Sequence, residues 1–202
     1  MCNLYNVRAS QTELADFFDA VAQDFGSNAP DEIFPGHPAP VVAGGRLKPM
    51  VWGFPFERTG AKGQKLKPKP VNNARTDKLK SFFWRDSFEN RRCLIPVTRF
   101  AEAEGAKGSM TRTWFSVPGS PVFAAAGIWR DTDEWSEAFS MVMTDANRQV
   151  APVHDRMPVI LPPEVWSAWL EGTPHEAFDL CRPFDGELSV DRTEDPWVRR
   201  RS

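Results

Sequence analysis

Several things are scarce in this sequence, and each shortage removes a class of protein. There are 3 cysteines in 202 residues, at Cys2, Cys93 and Cys181. They are too few and too scattered for a disulfide framework, and no CxxC or Cys/His spacing marks a zinc site. No metal and no cofactor is therefore expected. No apolar run nears the roughly 18–20 residues of a membrane span, and the first thirty residues lack the continuous apolar stretch of a signal peptide. The expectation is a soluble cytoplasmic chain with free thiols. An excess of one charge sign is missing as well. The net charge is −2, so any nucleic-acid contact has to come from a local basic surface. Tyrosine is nearly absent, 1 against 8 tryptophans and 15 phenylalanines, an aromatic set that suits a packed β-rich core.

What is present organises into an α+β chain. Residues 3–9 read as a strand entering a helix, which Ser10 and Glu13 open as a capping box and Leu14, Phe17, Phe18 and Val21 continue at helical spacing. The Pro/Gly/Asn-rich stretch 26–40 reads as loop. Residues 41–56 read as strand, broken at Gly44-Gly45. Residues 57–70, "ERTGAKGQKLKPKP", read as an exposed basic loop, and 71–92 should hold a short helix. Extended runs follow at 93–97, 99–104, 111–117, 122–129 and 139–144, separated by turn clusters. Residues 163–170 and 174–181 look helical, with Pro162-Pro163 starting the first, and 196–202 reads as a frayed tail. Long βαβ alternation is absent, so the sheet should be antiparallel. A single domain over 1–202 is expected: a barrel-like antiparallel core with flanking helices.

Four stretches carry reactive side chains. Cys2 directly follows the initiator methionine; once Met1 is removed it presents an α-amine and a thiol on adjacent carbons, or else it is an exposed thiol of no consequence. In "VNNARTDKL", Asn72 and Asn73 stand beside Arg75, either as turn residues or as amides that donate to a carbonyl or sugar oxygen. In "RFAEAEG", Glu102 and Glu104 share one strand face. Flanking alanines would desolvate such a carboxyl and raise its pKa, which suits a general acid near neutrality; the alternative is an edge strand with solvated glutamates. "APVHDRMPVIL" gathers His154, Asp155 and Arg156, a reactive cluster or a structural Asp–Arg corner. His37 and His175 read as surface residues, and Cys93 and Cys181 as structural thiols.

Together these stretches resemble the SOS response-associated peptidase, or SRAP, family. The shared marks are Met1-Cys2, "WGF" (52–54), "NAR" (73–75), "WRDSF…RRCLIPV" (84–97), "FAE" (100–102), "FAAAGIW" (123–129) and "HDRMPVIL" (154–161), in the family's order. The resemblance implies covalent attachment, through the N-terminal cysteine, to abasic sites in single-stranded DNA during the DNA damage response. It assigns Cys2 as nucleophile, Glu102 as acid/base, Asn73 as the sugar-positioning amide and His154 as the histidine. It places Arg75, Arg85 and Arg156 at phosphates and Trp52 near the DNA; on the residues themselves, either Trp52 or Phe54 could stack on a base. The expected product is a thiazolidine, which only an N-terminal cysteine can form. The protein is expected to act as a monomer, associated with the nucleoid when bound to DNA. Two other readings stay open. One is an N-terminal-nucleophile cysteine peptidase, even one limited to removing its own Met1, with a lyase activity alongside. The other is a non-catalytic single-strand binder. Asn3-Leu4 stand where the family usually has Gly-Arg, and Ala101 and Ala103 stand where it has Tyr and Trp around the glutamate.

Overall fold

The structure, a computed structural model, describes residues 2–23 and 31–198. In chain order the elements are β1 (Leu4–Asn6), α1 (Gln11–Phe17), β2 (Val21–Ala22), β3 (Pro38–Ala43), β4 (Arg46–Trp52), β5 (Phe54–Thr59), β6 (Lys65–Val71), β7 (Asn73–Arg75), α2 (Phe82–Asn90), β8 (Arg92–Val97), β9 (Arg99–Glu104), β10 (Thr111–Ser116), β11 (Phe123–Thr132), β12 (Ser136–Asp145), β13 (Arg156–Pro158), β14 (Ile160–Leu161), α3 (Trp166–Glu171), α4 (Pro174–Asp179) and β15 (Ser189–Pro196).

Strands β4, β3, β8, β11 and β12 pair in that order. Those four junctions are antiparallel. A parallel pairing of β12 with β4, Ala138 opposite Val51 and Phe139 opposite Trp52, closes the ring. The result is a closed five-stranded barrel with flanking helices, in line with the sequence expectation. Closure removes the free edges that an open sheet would expose. The apolar string "CLIPV" makes sense here, because β8 is buried along its whole length. The small residues of "AAAG" bring β8 and β11 close: a Cβ on Gly127 would lie 2.7 Å from Cys93 Sγ.

A second sheet, ordered β1-β9-β10-β15, lies against the barrel. Its residues Leu4, Ala101 and Trp114 form a separate apolar cluster flanked by Phe34 and Trp197. Leu4 and Ala101, two of the departures from the family pattern, are direct cross-strand partners. The small alanine leaves the space that leucine and tryptophan fill.

Three expectations are corrected. The helix begins with the capping box, Ser10 and Glu13 bonding reciprocally at 3.2 and 2.7 Å, but it stops at Phe17. Asp19 turns to φ 47°, a left-handed conformation no helix continues through, and Val21 therefore lies in β2, 69% exposed. Residues 57–70 are not a loop: β5 and β6 form an antiparallel ribbon. The frayed tail is held at its start, where Trp197 N–H donates to Met110 O at 2.8 Å; residues 199–202 lie outside the described residues, as does part of the 26–40 loop. Strand β15 forms where the sequence shows no apolar alternation.

Candidate active site

The site forms where the start of the chain meets the second sheet and the strand after the ribbon. Strand β1 runs antiparallel to β9 with Leu4 opposite Ala101, so the chain leading into β1 runs toward Glu102. Strand β7 lies parallel to β12, Asn73 opposite Met141, and this pairing carries Asn72 and Asn73 to the same place.

Two amides converge on one oxygen there. Asn73 Nδ2 donates to the carbonyl of Cys2 at 2.8 Å, and Asn72 Nδ2 donates to the same oxygen at 2.9 Å while reaching Asn3 Oδ1 at 3.1 Å. Asn72 is held in turn from below: Trp52 Nε1–H donates to its carbonyl at 3.0 Å. Asn73 is buried, and its Oδ1 has no protein donor among the described residues. It is an acceptor that a ligand hydroxyl can fill, since a buried polar atom left unpaired costs free energy.

Cys2 is fully buried, and its Sγ donates to Leu4 O at 3.5 Å. Burial pushes the thiol pKa well above its ordinary value, and the nearby Glu102 carboxylate adds to the rise. The thiol is neutral. Glu102 is 2% exposed. Desolvation raises its carboxyl to about 7, against an opposing pull from the positive amino-terminal group. At neutral pH this acid is therefore divided between its two forms.

His154 is held below its ordinary pKa, first by burial and then by the same amino-terminal charge. Arg156 N–H donates to Nδ1 at 2.9 Å, so the neutral ring carries its proton on Nε2. Asp155 Oδ1 lies 3.0 Å from the same Nδ1. The two contacts compete, and the lowered pKa with the backbone donor favours the neutral ring. Asp155, next to His154 in the chain, adds a smaller upward push to Glu102. Cys2, Asn73 and Glu102 are thus brought together.

Two of the three arginines meet at the end of β12. Arg75 stands opposite Met143 from one side and Arg156 opposite Asp145 from the other. Each is neutralised within the chain, Arg75 by both oxygens of Asp77 at 2.9 Å and Arg156 by Asp145 at 2.8 Å. Arg85 is exposed on α2, which packs on β8 and β11 rather than at that strand end. Trp52 and Phe54 are corrected: both are fully buried and neither presents a face to a base. Trp52 packs edge-on against Tyr5 with centroids 4.9 Å apart and serves as a floor for Asn72. Glu104 does not duplicate Glu102. Thr113 Oγ1 and Arg192 occupy its carboxylate and hold its pKa down. The residue the motifs underrate is Asn72; the Asn-Asn doublet is its only signal. Among the described residues no group of His, Cys, Asp and Glu is arranged to hold a metal, and no helix is long and apolar enough to cross a membrane.

The closed barrel thus carries, at one end, a buried Cys2 beside an amide pair and a desolvated glutamate. The chain belongs to the SOS response associated peptidase (SRAP) family, whose pattern matches residues 1–195. Among curated proteins it is 29% identical over 153 residues to the abasic site processing protein YoqW of Bacillus subtilis strain 168, covering 70% of this chain and 66% of that one. It is equally 29% identical over 157 residues to the abasic site processing protein YoaM of the same organism, covering 70% and 65%. The match thus spans slightly less than two thirds of those relatives. Among solved structures, a protein from Bordetella bronchiseptica superposes with a TM-score of 0.80 at 20% identity, over 95% of this chain and 99% of that one. One from Bacteroides thetaiotaomicron gives 0.79 at 21%, over 95% and 91%. These two likenesses establish the fold.

Proposed function

We propose that this protein processes abasic sites in single-stranded DNA by trapping the lesion on Cys2 as a thiazolidine once Met1 has been removed. Met1 lies outside the described residues. The observation that carries the reading is the amide pair on the Cys2 carbonyl, which fixes the first residue of the processed chain beside a carboxyl that titrates near neutrality. The family match and the names of the two relatives support it.

The residue types fit each step. An abasic sugar is mostly a closed ring. The protonated carboxyl of Glu102 donates to the ring oxygen and frees the aldehyde. The amine of Cys2, with a reference pKa of about 7.7–8.0, is partly neutral at pH 7. It attacks the aldehyde carbon, and one water leaves as the imine forms. The Cys2 thiol then adds across the C=N bond, sulfur to carbon and proton to nitrogen, closing a five-membered ring. That addition consumes a neutral thiol and needs no thiolate, in keeping with the buried sulfur. Proximity drives it, because both groups belong to one residue. The unfilled Oδ1 of Asn73 suits a sugar hydroxyl, Nε2–H of His154 can donate to the opened sugar, and Arg75 and Arg156 can exchange their carboxylates for phosphates at the strand end.

A cysteine peptidase would need a thiolate paired with a base. The family description carries that reading, but the Cys2 thiol bonds a backbone carbonyl rather than a base, which favours trapping. The deciding experiment incubates the Met1-free protein with an oligonucleotide carrying one abasic site and resolves the mixture on a denaturing gel. A heat-stable shifted band that Cys2→Ala and Cys2→Ser both lose is the expected result. A band that persists in Cys2→Ala sinks the assignment, and binding without a band reduces the protein to a single-strand binder.

A further inference from the structure

The amide clamp that Asn72 and Asn73 form on the Cys2 carbonyl has a third member. Asn3, which stands where the family pattern has glycine, accepts from Asn72 Nδ2 on its Oδ1 at 3.1 Å. Donors and acceptors leave this group one arrangement. The carbonyl of Cys2 only accepts, so Asn72 has to present its amine to it, at 2.9 Å. That amine only donates, so Asn3 has to present its oxygen. The amine of Asn3 is then turned away from the clamp. Asn3 is exposed, and among the described residues nothing accepts from its Nδ2. The backbone supplies no other reason for an asparagine here. Among the described non-glycine residues positive φ is confined to Asp19 and Ser136, so Asn3 serves no left-handed turn. Asn72, for its part, is fixed at its carbonyl by Trp52 Nε1–H and by Met141 N–H, each at 3.0 Å. Its side-chain amide is what remains to be held.

We propose that Asn3 is a positioning residue with two tasks: its Oδ1 locks the Asn72 amide onto the Cys2 carbonyl, and its outward Nδ2 donates to a phosphate oxygen beside the trapped sugar. The proposal rests on the trapping reading given above and deepens it at one residue. An Asn72 amide held by the Cys2 carbonyl alone is free to flip whenever that one bond opens. With Asn3 Oδ1 beside it, the flipped amide would set its oxygen against two other oxygens at once. Glycine at position 3 has no side chain to supply that lock. The outward amine has a separate use. The aldehyde carbon of the lesion has to come to the buried Cys2, whereas the phosphates on either side of it are charged and stay in water. They therefore lie over the exposed residue next to Cys2. Asparagine is an ordinary phosphate donor. Arg75 and Arg156 are each already bound to an aspartate, so Asn3 offers a donor with no internal competitor.

The test uses Met1-free protein, each variant checked by intact mass. Single-turnover crosslinking to an abasic oligonucleotide gives the maximal rate. Affinity is read separately on an oligonucleotide whose lesion is a tetrahydrofuran, which keeps both phosphates and has no aldehyde to trap. Asn3→Ala should lower the maximal rate about 2- to 12-fold, the equivalent of one net hydrogen bond, and should weaken binding. In an Asn72→Ala background it should lower the rate no further. Asn3→Asp keeps the acceptor and loses the outward donor. It should recover most of the rate that alanine loses, yet bind more weakly than alanine at low salt, with the gap closing as salt screens the new carboxylate from the phosphate. Melting without DNA supplies an independent check: Asn3→Ala should lower the midpoint of the parent but not that of Asn72→Ala. Additive losses in that cycle overturn the lock, as does an alanine variant as fast as the parent. An aspartate variant that binds as tightly as alanine at low salt overturns the phosphate contact. A parent that forms no adduct sinks the trapping chemistry, while the melting cycle and the tetrahydrofuran affinities still decide the two tasks of Asn3.

Discussion

Asn72 and Asn73 are neighbours in sequence and aim their side-chain amides at the same atom, the carbonyl oxygen of Cys2, from 2.9 and 2.8 Å. Adjacent residues of a regular strand point to opposite faces. The doublet converges because β7 begins only at Asn73 and Asn72 sits in the break between β6 and β7.

The clamp makes the first prediction. Asn73→Ala removes the buried donor and should slow single-turnover crosslinking about 5- to 100-fold, the equivalent of a lost buried hydrogen bond. Asn72→Ala should cost less, because its amide is half-exposed. Either amide alone still holds the oxygen, so the double variant should lose more than the product of the singles. Strictly multiplicative losses would show that the two do not share one task.

Glu102 gives the second. Its carboxyl is raised from 4.5 to about 7 by desolvation, so between those values the folded protein holds a proton that the unfolded chain has released. Stability on this account is fully present below pH 4.5 and is lost as pH rises through 7. Glu102→Gln cannot ionise. Its melting temperature should therefore gain on the parent as pH goes from 5 to 8, by about 1–3 kcal/mol in stability. A difference that is constant with pH would place the raised pKa elsewhere.

The same residue should govern the rate. Glu102→Gln should slow crosslinking by about 10²–10⁴, the usual loss for a general acid, while Glu104→Gln should change it little, because that carboxylate is already ionised against Thr113 and Arg192. The rate of the parent should peak near pH 7–8. Below that the Cys2 amine is protonated, and above it Glu102 has lost its proton. The glutamine variant should keep the acid limb and lose the alkaline one.

A fourth prediction concerns the ribbon's root. Gly53 sits at φ 113°, and a Cβ there would lie 2.5 Å from Pro70 Cβ. Gly53→Ala meets both a forbidden backbone and a clash, and should cost about 2–4 kcal/mol in denaturant unfolding. An ordinary surface-sized loss would mean that the ribbon is loosely seated.

Much of this is legible in the residues and part is not, for physical reasons. "CLIPV", "RFAEAE" and "FSMVMT" announce strands because burial on one or both faces is written as apolar runs or alternation, and Ser10 with Glu13 announces a helix start because capping is local. Glu102 among alanines announces a desolvated acid. The ribbon is hidden because its alternation is lysine with proline rather than polar with apolar. The burial of Trp52 is hidden because motif position says nothing of which way a ring faces. The pairing that closes the barrel joins Val51 to Ala138, and no local pattern encodes a partner so distant in the chain.

The burial of Cys2 has a consequence for the order of events during synthesis. Its cover includes β9, residues 99–104, and translation at about 5–20 residues per second needs roughly 5–20 s to produce them. Until then the nascent start of the chain has no sheet to dock on and remains open to a trimming enzyme at the ribosome. After docking, the same enzyme would have to undo folded structure to reach it. If the proposed trapping on Cys2 holds, the fold sets a deadline for freeing the Cys2 amine, and a chain that misses it cannot close the ring.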